Sequence, residues 1–275
     1  VNKNILNHFA GLIICIISFF IYTSPSKVMP TTDTSYVYLH SIAFIKYSSL
    51  NLDLIPNIQK LHEYKLATRS ENGHFYTRVG PISGVILSPF IYIASKFDKN
   101  KELTFENVES LGKFASSLAL ALSGYLLLLG FLIRKYSLST IIFSLISFFL
   151  LTPNFPINSQ GAWIHTVVIV LFSFGYLLTT FPSKFSINFS ILFFALGISI
   201  RPLTVFFLPA VIAIYKNKST SKLSLLLRLL IFVAIFYFIN SLFGIDSKYF
   251  DELIASYQNK SLIDYPYLLF SELFS

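Results

Sequence analysis

Apolar residues in this chain gather in long runs rather than alternating with polar ones, and short gaps rich in lysine and arginine separate the runs. Runs of that kind read as helices that want a lipid solvent. A bilayer core about 30 Å thick takes about 20 residues of helix, with a lower limit near 17. The clear candidates are 5–22, 114–133, 162–180 and 223–243, and shorter ones are 138–152, 185–200 and 203–215. The last two are separated only by Arg201 and Pro202. Fused, they would run about 45 Å, too long for one crossing. They read instead as two short spans hinged at Arg-Pro, which brings the count to about seven.

A further apolar stretch, 82–95, is flanked by Pro81 and interrupted by Pro89, which suits an interfacial or re-entrant helix better than a span. Excluding it leaves 23–107 as one long external loop, in which 36–50 and 82–93 are apolar enough to lie on a membrane. The expected fold class is therefore all-α: a polytopic membrane protein whose long first extracytoplasmic loop carries interfacial helices. The chain reads as a single membrane domain over 1–275, with the loop at 23–107, a helical bundle at 108–244, and the start of a further extracytoplasmic segment, cut short, at 245–275.

Composition agrees with a lipid solvent. Hydrophobic residues make up 54% of the chain, charged residues 12%, and phenylalanine alone occurs 30 times, with a mean hydropathy of +0.67. Such a chain lacks the polar groups to cover a water-facing surface. The single cysteine, Cys15, lies in the first apolar run, which excludes a disulfide framework and a zinc knuckle. The N-terminal run follows Lys3 as a signal peptide would, but the spans after it favour a signal anchor.

The formal charge of +8 does not indicate nucleic acid, because the basic residues sit between apolar runs rather than on a polar domain. There they set orientation. With a cytoplasmic N-terminus, the inner gaps hold Lys3, Arg134, Lys135, Lys184, Lys216, Lys218, Lys222 and Arg228, and every Asp and Glu falls outside. The expected location is a bacterial or archaeal cell membrane, crossed several times.

Four places hold polar groups that simple structure does not demand, all on the outer side of that topology. Asp33, in "TTDTSY", follows the first span, as a helix N-cap ahead of 35–50, as a catalytic carboxylate, or as both. In "NGHFYTRVGPISGVILSPF", Tyr76 and Arg78 lead into the apolar stretch, and a guanidinium there suits either a phosphate or a lipid headgroup. In "SQGAWIHTVV", the sole tryptophan, Trp163, fits an interface anchor, whereas His165 stands a turn deeper, where an ionisable group is costly unless it faces protein or water. Arg201 sits at the helix break, free to snorkel or to bind. No Walker loop, Rossmann fingerprint, HExxH or nucleophile elbow is present.

The order of these segments resembles the GT-C membrane glycosyltransferases, the protein O-mannosyltransferase and aminoarabinose-lipid A transferase type. "TTDTSYVYLHSIAFIKYSSLNLDL" is similar to their first-loop segment. "NGHFYTRVGPISGVILSPFIYIASKF" is similar to their Gly-Pro segment, and "SQGAWIHTVVIVLFSFGYLL" and "ALGISIRPLTVFFLPAVIAI" to later spans. The resemblance implies an enzyme that moves a sugar from a polyprenyl-phosphate donor to a lipid, glycan or protein hydroxyl at the extracytoplasmic face, with inversion. Asp33 would be the general base, and Tyr36, Tyr76, Arg78, His165 and Arg201 would bind substrate. Where many members carry two adjacent acids, this chain has Asp33-Thr34, so the resemblance allows a divalent metal but supplies no adjacent carboxylate pair to hold it, and it assigns no certain cofactor. Membrane lipids are the other expected partners, and nucleic acid is not one. The rival functions are a lipid-linked saccharide flippase or transporter and a non-catalytic membrane assembly subunit. Few charges at mid-depth favour chemistry at a surface over passage.

Overall fold

The computed structural model describes residues 3–24, 32–59, 68–69, 75–76, 81–97, 102–104, 107–151, 161, 163–201, 204, 207–218 and 222–243. Among these, nine α-helices carry nearly all the structure: α1 (Lys3–Thr23), α2 (Thr32–Tyr47), α3 (Ile82–Phe97), α4 (Val108–Ile133), α5 (Leu138–Ile146), α6 (Ile164–Thr180), α7 (Lys184–Ile200), α8 (Leu208–Lys218) and α9 (Lys222–Phe243). A single π-helical turn, Ser147–Leu151, extends α5. The described strands are two residues each, β1 (Thr68–Arg69) and β2 (Phe75–Tyr76), paired antiparallel with Thr68 opposite Tyr76.

Helix ends follow local chemistry. Ser137 caps α5 by accepting from the Thr140 N–H. Helix α7 stops at Ile200, and Arg201 is extended, as the hinge at Arg201-Pro202 requires. Pro89, expected to break 82–95, lies inside α3 instead. The Val85 carbonyl, which a residue at 89 would ordinarily satisfy, accepts the Ser88 hydroxyl at 2.7 Å. Asp33, expected as a cap ahead of residue 35, is the second residue of α2, because the helix already begins at Thr32. The negative charge there favours the helix N-terminus.

Among the described residues, two helical stretches, Ile5–Thr23 and Ser110–Ile133, are long and apolar enough to cross a membrane. The other apolar stretches run 10–17 residues, Leu226–Phe238 within α9 among them, and the span expected at 203–215 becomes the 11-residue α8, about 16 Å long. That helix is too short to cross alone. Its start moves back to Leu208 because the chain turns after Arg201, where the Thr204 N–H donates to the Arg201 carbonyl.

Side-chain pairs fix the direction of the helices. Helices α1 and α4 are antiparallel, with His8 against Tyr125 and Phe19 against Phe114. Helices α4 and α6 are parallel, joined by Ser116 Oγ and Thr166 Oγ1 at 2.9 Å near one end and by Arg134 Nη2 donating to the Thr179 carbonyl near the other. Helices α6 and α7 are antiparallel, with Phe172 beside Gly197 and Phe194 beside Gly175. Helices α1 and α6 are therefore each antiparallel to the next of these four, α4 and α7, with α4 and α6 parallel.

Small polar side chains share the interior with the apolar core, while many large apolar side chains lie outside. Ser18, Ser116, Ser117, Ser123, Thr166, Ser173, Thr179, Ser190 and Ser199 are buried, while Ile5, Leu6, Phe9, Ile13, Ile16, Ile17 and Phe20 form an exposed stripe along α1. Leu226, Leu227, Leu230, Ile231 and Val233 form another along α9. Several inward hydroxyls bond to a carbonyl three or four residues back, as Ser117 does to Lys113 and Ser199 to Ala195.

The segments expected to lie on a membrane are mostly enclosed. Helix α2 is buried from Thr34 through Ala43, and only Phe44, Tyr47 and Leu50 beyond it are exposed apolar positions. The reason is a close crossing: Ser41 Oγ donates to the Gly84 carbonyl at 2.8 Å, and a Cβ on Gly84 would sit 2.4 Å from His40 Cβ. Val37, Tyr38 and Ile42 of α2, Leu87 and Ile91 of α3, Leu111 and Ala115 of α4, and Val167 and Leu171 of α6 share one core.

Candidate functional site

Three of the four polar places come to the same end of the bundle. The start of α2 meets the segment before α6 through Thr34, which is buried and lies where a Cβ on Gly161 would fall 3.1 Å from its Cγ2. Glycine at 161 lets the Thr34 side chain pack this closely against the backbone there. From Gly161 the chain turns into α6, with the Trp163 N–H donating to the Gly161 carbonyl at 3.1 Å. Asp33 is adjacent to Thr34 on the first turn of α2; its side chain lies outside the described residues.

Trp163 occupies the N-cap position of α6 and is 6% exposed, so it is enclosed rather than spread over a surface as an interface anchor. Its indole N–H is buried and donates to no group among the described residues. Buried donors are seldom left so. The His165 ring lies 6.3 Å from the Trp163 ring, tilted by 42°, and is half-buried. Because α6 and α7 are antiparallel, the C-cap residue Arg201 returns to this end, close enough for its charge to act on His165. The Arg201 carbonyl accepts both the Thr204 hydroxyl, at 2.6 Å, and the Thr204 N–H, which holds the turn.

The remaining expected residues are less closely placed. Tyr36 is buried in α2, one turn below Asp33, so it backs the helix start from within the core. The Tyr76 backbone lies in β2, which is tied down beside it by the Phe75 N–H donating to Asp53 Oδ1 at 2.8 Å. Arg78 lies outside the described residues.

Sequence reasoning missed Lys113. It is 6% exposed at the start of α4 and makes no ion pair with any described carboxylate. The parallel register of α4 and α6 sets Lys113 and Trp163 each three residues ahead of the Ser116–Thr166 bond, hence at the same level. The signal in the sequence is a lone lysine at the mouth of an otherwise apolar run.

The site therefore gathers two cations, an imidazole and an unused indole donor at the end of the bundle where the helix bearing Asp33 begins. Among the described residues, no three His, Cys, Asp or Glu side chains come together in a group able to hold a metal ion. No protein-family profile, no curated protein and no solved structure matches the chain.

Proposed function

We propose that the protein is a polytopic membrane glycosyltransferase that takes a sugar from a polyprenyl-phosphate donor and passes it to an acceptor hydroxyl at the extracytoplasmic face. The exposed apolar stripes on α1 and α9, paired with buried serines and threonines, support a lipid surround for the bundle. The antiparallel pairs α1/α4 and α6/α7 support repeated crossing, and the basic gaps support a cytoplasmic N-terminus. One observation carries the functional reading: Asp33, Trp163, His165 and Arg201, far apart in sequence, belong to elements that meet at one end.

In the reaction, the acceptor oxygen attacks the anomeric carbon while the Asp33 carboxylate takes its proton. The bond from that carbon to the phosphate oxygen breaks, and the polyprenyl phosphate leaves with the electron pair. Arg201 and Lys113, with Arg78, stabilise the charge that develops on the leaving phosphate. His165 and the Trp163 indole N–H are the hydrogen-bond groups for the sugar or the phosphate. Attack opposite the leaving group inverts the anomeric centre. The test is turnover of a radiolabelled polyprenyl-phosphate sugar by the purified full chain. Release of polyprenyl phosphate with label on the acceptor supports the reading. Label that crosses the bilayer without bond cleavage supports the flippase instead, a reading favoured by a buried arginine among α7, α8 and α9, Arg228.

A further inference from the structure

Four phenylalanine rings run side by side across α1, α4 and α3 at the end of the bundle that carries Trp163. Phe20 and Phe19, near the end of α1, have ring centroids 5.4 Å apart. The Phe19 ring meets the Phe114 ring of α4 edge-on at 5.4 Å, and Phe114 lies 5.6 Å from Phe97, the last residue of α3. The two outer members are open, Phe20 being 63% and Phe97 75% exposed. From Phe20 the exposed stripe of α1 leads on along the bundle. Immediately before Phe114 stands Lys113, which is buried and makes no ion pair with any described carboxylate. Successive helical positions are about 100° apart and lean toward the helix N-terminus, so the lysine and the ring lie on adjoining flanks of the first turns of α4. A cation enclosed at the head of an exposed apolar seam matches an amphiphile with an anionic head and an apolar chain.

We propose that the seam of Phe97, Phe114, Phe19 and Phe20 holds the isoprenoid chain of the donor while Lys113 meets its phosphate. The inference rests on the transferase reading above and goes beyond it by placing the apolar half of the donor. Continuity with the candidate site selects this occupant, because the seam begins one residue from a cation of that site. Each isoprenoid unit carries a double bond and a methyl branch. It is stiffer and flatter than a saturated acyl segment, so it loses less conformational freedom when held and lays a planar group against the ring faces.

The experiment is native mass spectrometry of the full chain in detergent, titrated with farnesyl phosphate and with dodecyl phosphate, which is saturated and of the same main-chain length. Farnesyl phosphate should bind about tenfold more tightly than dodecyl phosphate. Phe97→Ala, at an exposed position, should lower farnesyl phosphate affinity about fivefold and narrow that preference. Phe114→Ala should act in the same direction, and if it does not fold, Phe97→Ala still decides. Lys113→Gln should weaken both phosphates alike and leave the preference between them, because it removes the contact to the head and not to the chain. Equal affinity for the two phosphates, a preference unchanged in Phe97→Ala, or affinities unmoved by Lys113→Gln would each overturn the assignment. Turnover of the radiolabelled donor separates the levels. Farnesyl phosphate held on the seam without any sugar transfer sinks the transferase reading, whereas transfer by a chain indifferent to these rings sinks this inference alone.

Discussion

The two ends of the bundle are built from similar parts and differ in one. Each has an arginine beside a polar side chain: Arg201, whose charge acts on His165, at one end, and Arg228, whose Nε donates to Asn188, at the other. Each has a hydroxyl pair joining two helices, Ser116 with Thr166 and Ser190 with Tyr215. Among the described residues, only the Trp163 end also brings a carboxylate-bearing helix start, that of α2 with Asp33. On the proposed reading, the carboxylate beside these cations takes the proton of an attacking hydroxyl, which the Arg228 end has no described group to do.

The largest expected effect tests that difference directly. Asp33→Asn keeps the size and polarity of the residue and removes the base, so transfer from the radiolabelled donor should fall by about 10²–10⁴-fold. Membrane insertion should be unchanged. Activity near that of the unaltered chain would take Asp33 out of the mechanism and leave the two ends alike.

Arg201→Gln comes next. Loss of one fixed positive charge aimed at a leaving phosphate should lower kcat by about 10²-fold, with KM changing less. A rise in KM alone would show that Arg201 holds the donor equally in ground and transition states, so that it binds without speeding the reaction.

Much of this was legible from the sequence where a physical rule acts locally. Helix α7 ends where Arg201-Pro202 says it must, and Lys184 to Ile200 matches the apolar run. The first turn of α2, the tryptophan cap of α6 and the Arg201 break were each visible as polar groups out of place. What was not legible depends on partners distant in the chain. Thr34 against Gly161 and Ser41 against Gly84 are side chains packed on glycine backbones far away in the chain, and no periodicity announces them. For that reason α2, apolar enough to lie on a membrane, could not be recognised as a helix enclosed between α3, α4 and α6. Arg228 was assigned to a basic gap because orientation rules count charges without asking which face they occupy. Helix α9 turns it inward beside Asn188, while its leucine neighbours face out.

Gly84 gives the third test, since it holds α2 against α3. A leucine side chain there would have to displace the backbone at Val37 and Ser41, where a Cβ already comes within 2.9 Å. Overpacking of this kind costs about 1–3 kcal/mol. Thermal unfolding in detergent should show a lower midpoint for Gly84→Leu, and activity should fall with it because α2 carries Asp33. A stable Gly84→Leu chain with full transfer would mean that the α2–α3 crossing does not position the Trp163 end.

The smallest effects are expected at the hydroxyl pairs, and they sharpen the comparison most finely. Ser116→Ala removes the bond to Thr166, and Tyr215→Phe removes the bond to Ser190, each with little change in volume. Polar contacts between helices in a lipid surround contribute about 0.6 kcal/mol on average, because the separated helices also find partners. Both substitutions should therefore lower stability by similar small amounts in a denaturation series, and double-mutant cycles with Thr166→Val and Ser190→Ala isolate each pair. Equal coupling at the two ends, together with a transfer defect confined to Ser116→Ala, would show that the ends share one way of joining helices and differ in the chemistry placed above the joint. A transfer defect of the same size from Tyr215→Phe would instead tie catalysis to the Arg228 end and remove the division between the two ends.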